Sequence, residues 1–371
     1  MNYIKQLDSI RAVAVFFVII WHWIPRNSLI ENLHIGPFGV NIFFVLSGFL
    51  ITRILLFNRN RAEASATSKT KVLKHFYSRR MLRIFPVYYL TILLAVVLNQ
   101  WLSLGITTNE ILSNITYTSN FFIYGTKAWP LSSLHFWSLA VEEQFYLAWP
   151  LLILFCPKKY LLHVILLSIV VGFGSQLYFT DYEFGNLPTI TCLDCFGMGG
   201  LLAFVTLYHP NFLKKIYQIL TLLTIVSIAL LLICWQLSLY VSYLRFIHSI
   251  VSCCIISHIL LYRNQNSLLI AMLNNRVLIK IGKVSYGIYL YHMLYVYIAN
   301  HLWYQYVFDH YLPYINQQYE PWIFLSINFF VLYVIALLSW RFIERPFLVL
   351  KPKYRFETVH REIKMKLSEA S

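Results

Sequence analysis

The sequence predicts an all-α polytopic integral membrane protein with about ten transmembrane helices and both termini in the cytoplasm. Three observations carry this. Of the 371 residues, 59% are hydrophobic and only 12% are charged, against about 25% charged in soluble domains. The mean hydropathy is +0.62. Apolar runs near the ~20 residues that cross a bilayer recur along the whole chain. In lipid every backbone N–H and C=O must be paired within its own segment, so such runs are helices.

Taken in order, the runs fall at about 9–25, 38–57, 82–101, 134–156, 161–179, 188–208, 216–236, 244–262, 283–305 and 321–343. No small-residue cleavage site follows residue 25 and more apolar segments come at once, so the first run is expected to stay attached as an anchor. An even number of crossings places both termini on one side. That side collects 27 of the 30 Lys and Arg, leaving Arg26, Lys127 and Arg245 for the other face. The positive-inside rule makes the basic side cytoplasmic. The longest outer segment, about 102–133, is expected to fold back toward the membrane. Residues 1–371 read as one domain, with a short basic cytoplasmic tail at 351–371. Basic loops beside anionic lipid account for the net charge of +15, so no nucleic-acid partner is expected.

All six cysteines lie in apolar stretches, and the "CLDC" at 192–195 has neither a second pair nor a nearby histidine. Neither a disulfide framework nor a metal site is expected.

Ionisable groups within spans are costly and point to function. Arg11 and His22 are eleven residues apart, about three helical turns, so they share one face of the first span roughly 16 Å apart in depth. Arg80 and Arg83 share a face at the start of the third, and guanidinium forks suit phosphate oxygens. The fourth span holds the adjacent acids Glu142 and Glu143 at mid-depth. They suit binding a cation or a sugar hydroxyl, relaying a proton, or pairing with Arg or His. In the ninth, Ser285 and His292 are seven residues apart on one face. Asp194, in the sixth, has no evident partner. A secondary transporter or flippase of a polyprenyl-linked sugar or small solute would also use embedded acids and histidines. Such proteins often show broken helices in paired halves, and this sequence shows no such pairing.

Six blocks in order, "LDSIRAVAVFFVIIWHW", "FGVNIFFVLSGFLI", "FYSRRMLRIFPVYY", "WSLAVEEQFYLAWPLL", "SYGIYLYH" and "FIERPF", resemble the acyltransferase 3 family. Its members are membrane enzymes that transfer acyl groups, often acetyl, to hydroxyls of envelope polysaccharides and other glycosides. The family's Arg-x10-His pattern is met by Arg11 and His22, and its Arg-x-x-Arg pattern by Arg80 and Arg83. The resemblance implies an acyl-CoA donor such as acetyl-CoA held by the arginines, an essential His22, a glycan or glycolipid acceptor, and a place in the bacterial cytoplasmic (inner) membrane. Many members have an acid where Asn41 stands. Some carry a C-terminal SGNH domain, so this chain is expected to act alone or with a separate partner protein.

Those residue types suit the chemistry. A thioester is already activated, and transfer to a hydroxyl chiefly needs a base, for which imidazole is the usual choice. His22 is read as that base or as a transient acyl carrier; Glu142, Glu143 and His292 are read as assisting it. "FVLSGF" around Ser47 lacks the G-x-S-x-G elbow, and neither H-x4-D nor G-x-G-x-x-G occurs.

Overall fold

The computed structural model describes residues 3–24, 34–102, 104–130, 133–179, 184–236, 244–265, 267–300 and 320–350. These are helical, with no strand among them. The first spans are α1 (Gln6–Trp23), α2 (Ile35–Ala64) and α3 (Lys69–Leu102). Two short helices follow, α4 (Thr108–Ile115) and α5 (Ser119–Thr126). Next come α6 (Phe136–Phe155), α7 (Leu161–Tyr178), α8 (Leu193–Tyr208), α9 (Leu213–Gln236) and α10 (Leu244–Tyr262). Short α11 (Leu268–Leu273) and α12 (Arg276–Lys283) lead to α13 (Ser285–Ala299) and α14 (Glu320–Ser339).

Nine helices among the described residues are long and apolar enough to span a bilayer, and they match nine of the ten expected runs. The remaining run corresponds to α13, which covers 15 residues; its expected end near 305 lies outside the described residues, as does the tail 351–371. Two boundaries move. The second and third helices extend well beyond their apolar runs, so Arg80 and Arg83 stand inside a continuous α3 rather than at its start.

The core is built around α2, which packs against α1, α6, α8 and α10. Its contact with α8 is backbone to backbone: a Cβ on Gly48 would collide with the Phe196 carbonyl oxygen, and one on Gly199 with that of Val45. In lipid, where side chains gain nothing by leaving water, small residues that let helices approach this closely drive packing.

The segment after α3 does fold back. Thr107 caps α4 by accepting from the Glu110 N–H at 3.2 Å, Asn114 is buried, and the Tyr88 hydroxyl of α3 donates to the Asn114 carbonyl at 2.7 Å. Glu110 is buried against the Ser133 hydroxyl. Burial pushes its carboxyl up from the ordinary value, and the hydrogen bonds from Ser133 and the backbone oppose that shift.

Arg245, counted for the outer face, is the second residue of α10 and only 8% exposed, donating to Cys192 Sγ at 2.7 Å. Beside it Asp194 finds the partner its sequence did not suggest, the Ser249 hydroxyl at 3.1 Å. Asn41 completes the network, 3.1 Å from Cys195 Sγ and 3.2 Å from His248 Nδ1. These contacts join α2, α8 and α10 and satisfy polar groups that lipid could not.

Candidate active site

Arg11, Arg80 and Arg83 reach one cavity. It encloses about 750 Å³, mouth included, and is lined from α1, α2, α3, α6 and α13. The expected one-face spacing of Arg80 and Arg83 holds because α3 is unbroken through both. Arg11 leans on Asp8, 3.0 Å from its Oδ1, an orienting partner that the one-face argument from Arg11 to His22 passed over. The Arg80 guanidinium stacks 4.5 Å from the Tyr146 ring centre. Arg83 is exposed into this space. A wall of guanidinium groups presents only donors, which suits a phosphate-bearing ligand.

The adjacent acids separate. Glu142 lines the cavity, with the Ser47 hydroxyl donating to its Oε1 at 2.7 Å and Tyr146 2.9 Å from the same hydroxyl. Glu143 is not among the lining residues, because consecutive residues on a helix point about 100° apart. Ser285 and Tyr289, one turn apart on α13, form another wall; the Tyr289 hydroxyl is 2.5 Å from that of Ser138.

His22 and His292 do not line the arginine cavity but meet just beyond it. The Tyr289 ring, which does line it, lies 5.4 Å from that of His292. His22 Nδ1 is 2.9 Å from His292 Nε2, and the two rings stack at 5.0 Å. His292 Nδ1 is 2.6 Å from the Tyr289 carbonyl oxygen. A carbonyl only accepts, so Nδ1 of His292 carries the proton and its Nε2 offers a lone pair. His22 must therefore donate from Nδ1, which makes Nε2 its basic nitrogen. Trp23 Nε1 donates to the His292 carbonyl at 3.2 Å and clamps α13 against α1.

A third histidine joins them. His135, just before α6, packs its ring edge-on at 4.7 Å from that of His292. Sequence reading passed over it although it lies at the outer end of the expected run 134–156; the cue was the seven-residue spacing that puts it on one face with Glu142. Among the described residues no cluster of His, Cys, Asp and Glu is arranged to hold a metal ion.

Comparison with known proteins finds O-acetyltransferases. Over 185 residues the chain is 36% identical to the peptidoglycan O-acetyltransferase OatA of Listeria monocytogenes, a match covering 47% of this chain and 28% of that protein. It is 28% identical over 369 residues to the O-acetyltransferase OatA of Staphylococcus aureus, covering 93% of this chain and 57% of the relative. The chain thus spans little more than half the length of such relatives even where nearly all of it aligns. No solved structure matches it. A family model described as an acyltransferase domain matches residues 4–341, and the chain belongs to the acyltransferase 3 family.

Proposed function

We propose that this protein is a membrane O-acyltransferase that moves an acetyl or similar acyl group from acyl-CoA to a hydroxyl of a cell-envelope glycan. The observation that carries this reading is the convergence of Arg11, Arg80 and Arg83 on one cavity whose far wall, Tyr289, touches the His22–His292 pair. The names of the relatives support acetyl as the group and a polysaccharide as the acceptor.

In this reading the donor's phosphates sit on the arginines, on the cytoplasmic side of the bacterial inner membrane, and its pantetheine arm runs past Glu142 and Ser47 toward Tyr289. The acceptor hydroxyl gives its proton to His22 Nε2 as its oxygen attacks the thioester carbonyl. The carbon–sulfur bond breaks, and the departing thiolate takes the proton from the imidazolium. His292 steadies that cation by holding the Nδ1 proton of His22 in a hydrogen bond. Glu142 holds the Ser47 hydroxyl in a hydrogen bond beside this path.

The test is to incubate purified protein with acetyl-CoA carrying a labelled acetyl group and an envelope glycan, and to follow label by mass spectrometry. Label appearing as a glycan O-acetyl ester, and missing with His22→Ala, is the expected result. No transfer by a folded wild-type protein that binds neither donor nor glycan would overturn the reading.

A further inference from the structure

The basic connection between α10 and α13 does not stand clear of the bilayer. Ser9 Oγ of α1 donates to the Leu273 carbonyl at 2.6 Å, and Gln6 Nε2 donates to Asn274 Oδ1 at 3.0 Å. A Cβ on Gly282 would sit 1.8 Å from the Asp8 carbonyl oxygen. Both α11 and α12 are therefore packed against the first turns of α1, level with residues 6–9. The apolar run of the first span begins there, and the rise is only about 1.5 Å per residue. The connection thus lies at the depth where headgroups meet hydrocarbon.

Two kinds of side chain are left uncovered on it. Leu268 and Met272, one turn apart on α11, are 81% and 60% exposed, and Val277 on α12 is 61% exposed. In water these three would forfeit most of the hydrophobic gain of burial. Arg276, Lys280 and Lys283 stand at i, i+4 and i+7 and form one exposed face of α12. Just before α11, Arg263 repels Arg53 of α2 electrostatically. Among the described residues none of these five cations has an acidic partner within ion-pair distance. Cations gathered without acids attract an anion, and the apolar side chains beside them attract acyl chains. A phospholipid with an anionic headgroup answers both; a free phosphate answers only the first.

We propose that α11 and α12 form an interfacial anchor that binds anionic phospholipids of the leaflet facing the basic loops, with Leu268, Met272 and Val277 among the upper acyl chains and Arg276, Lys280 and Lys283 on headgroup phosphates. The anchor goes beyond the acyltransferase reading and does not depend on it. It does reach the candidate site, because α12 rests on Asp8, whose carboxylate holds Arg11. Lipid that seats α12 therefore steadies the end of α1 that presents this arginine to the cavity.

The experiment uses the full chain, its native cysteines replaced, in proteoliposomes of phosphatidylcholine and phosphatidylglycerol. A bimane fluorophore on Met272→Cys reports contact with phospholipids brominated on their acyl chains, since bromine quenches it at close range. Quenching at position 272, and none on Ala66→Cys between α2 and α3, is the expected result. At equal mole fraction, brominated phosphatidylglycerol should be preferred over brominated phosphatidylcholine by about fivefold for each basic residue engaged, and added salt should shrink that preference. Arg276→Gln combined with Lys280→Gln should keep the quenching and lose most of the preference, because the charges go and the apolar side chains stay. No quenching at position 272 would overturn the anchor and give this face to a partner protein or a second copy of the chain. Quenching without preference for phosphatidylglycerol, or a preference that survives the double substitution, would overturn the headgroup assignment.

Discussion

His22 Nδ1 and His292 Nε2 stand 2.9 Å apart, joining α1 to α13 across 270 positions of sequence. Because the Tyr289 carbonyl fixes the tautomer of His292, this one contact decides which nitrogen of His22 is basic. His22→Ala should therefore abolish transfer, a loss of at least about 10²-fold, with insertion and expression preserved. His292→Leu should lower kcat about tenfold to hundredfold by freeing the His22 tautomer. His292→Gln, which can still accept from His22, should recover part of that loss. Steady-state kinetics on purified variants would check this; equal rates for the Leu and Gln variants would contradict the tautomer argument.

The arginine cavity makes a graded prediction for donor binding. Losing a charge-assisted phosphate contact costs roughly 1.5–3 kcal/mol, so Arg80→Ala and Arg83→Ala should each weaken acyl-CoA binding about tenfold to hundredfold. Arg80→Lys should restore it only in part, since a point charge lacks the fork and the stacking on Tyr146. Asp8→Asn should weaken binding less than Arg11→Ala, because it loosens the arginine without removing it. Isothermal titration with a non-hydrolysable acyl-CoA analogue would measure all five.

The two neighbouring acids should behave differently. Glu142→Gln replaces the carboxyl group on the cavity wall that accepts from Ser47 and is expected to cut the transfer rate by about tenfold or more, whereas Glu143→Gln, directed away from the cavity, should keep most of it. Both substitutions preserve size, and rates measured at saturating donor would separate them. Equal losses would mean that the cavity wall does not distinguish these positions.

Stability should depend on the close approach of α2 and α8. A Cβ on Gly199 meets the Val45 carbonyl oxygen, which cannot rotate aside. Gly199→Ala should cost about 1–3 kcal/mol by overpacking, seen as a lower unfolding temperature in detergent. At Gly125, where a Cβ meets nothing within 4 Å, the same change should be tolerated.

Orientation is open to labelling. With native cysteines removed, a cysteine at Ala66, between α2 and α3, should be reached from the cytoplasm, and one at Gly125, beyond the other end of α3, from outside. An impermeant thiol reagent on intact cells should mark 125 and spare 66; the reverse pattern would invert the topology.

By itself the sequence determined where the chain crosses the membrane and which residues share a helix face. Hydrophobic length sets the first, and the 3.6-residue period sets the second, so Arg80 with Arg83 and Ser285 with His292 were readable without coordinates. Only the tertiary structure decided which faces meet. It set His22 against His292, turned Glu142 into the cavity and Glu143 away, gave Asp194 its partner in Ser249, and brought His135 to His292. The reason is physical. In a bilayer the lipid-facing and partner-facing sides of a helix are similarly apolar, so hydropathy carries little record of the neighbour. Partner choice lies instead in close backbone approaches and polar contacts between residues far apart in sequence, such as Gly48 against Phe196 and Ser47 with Glu142.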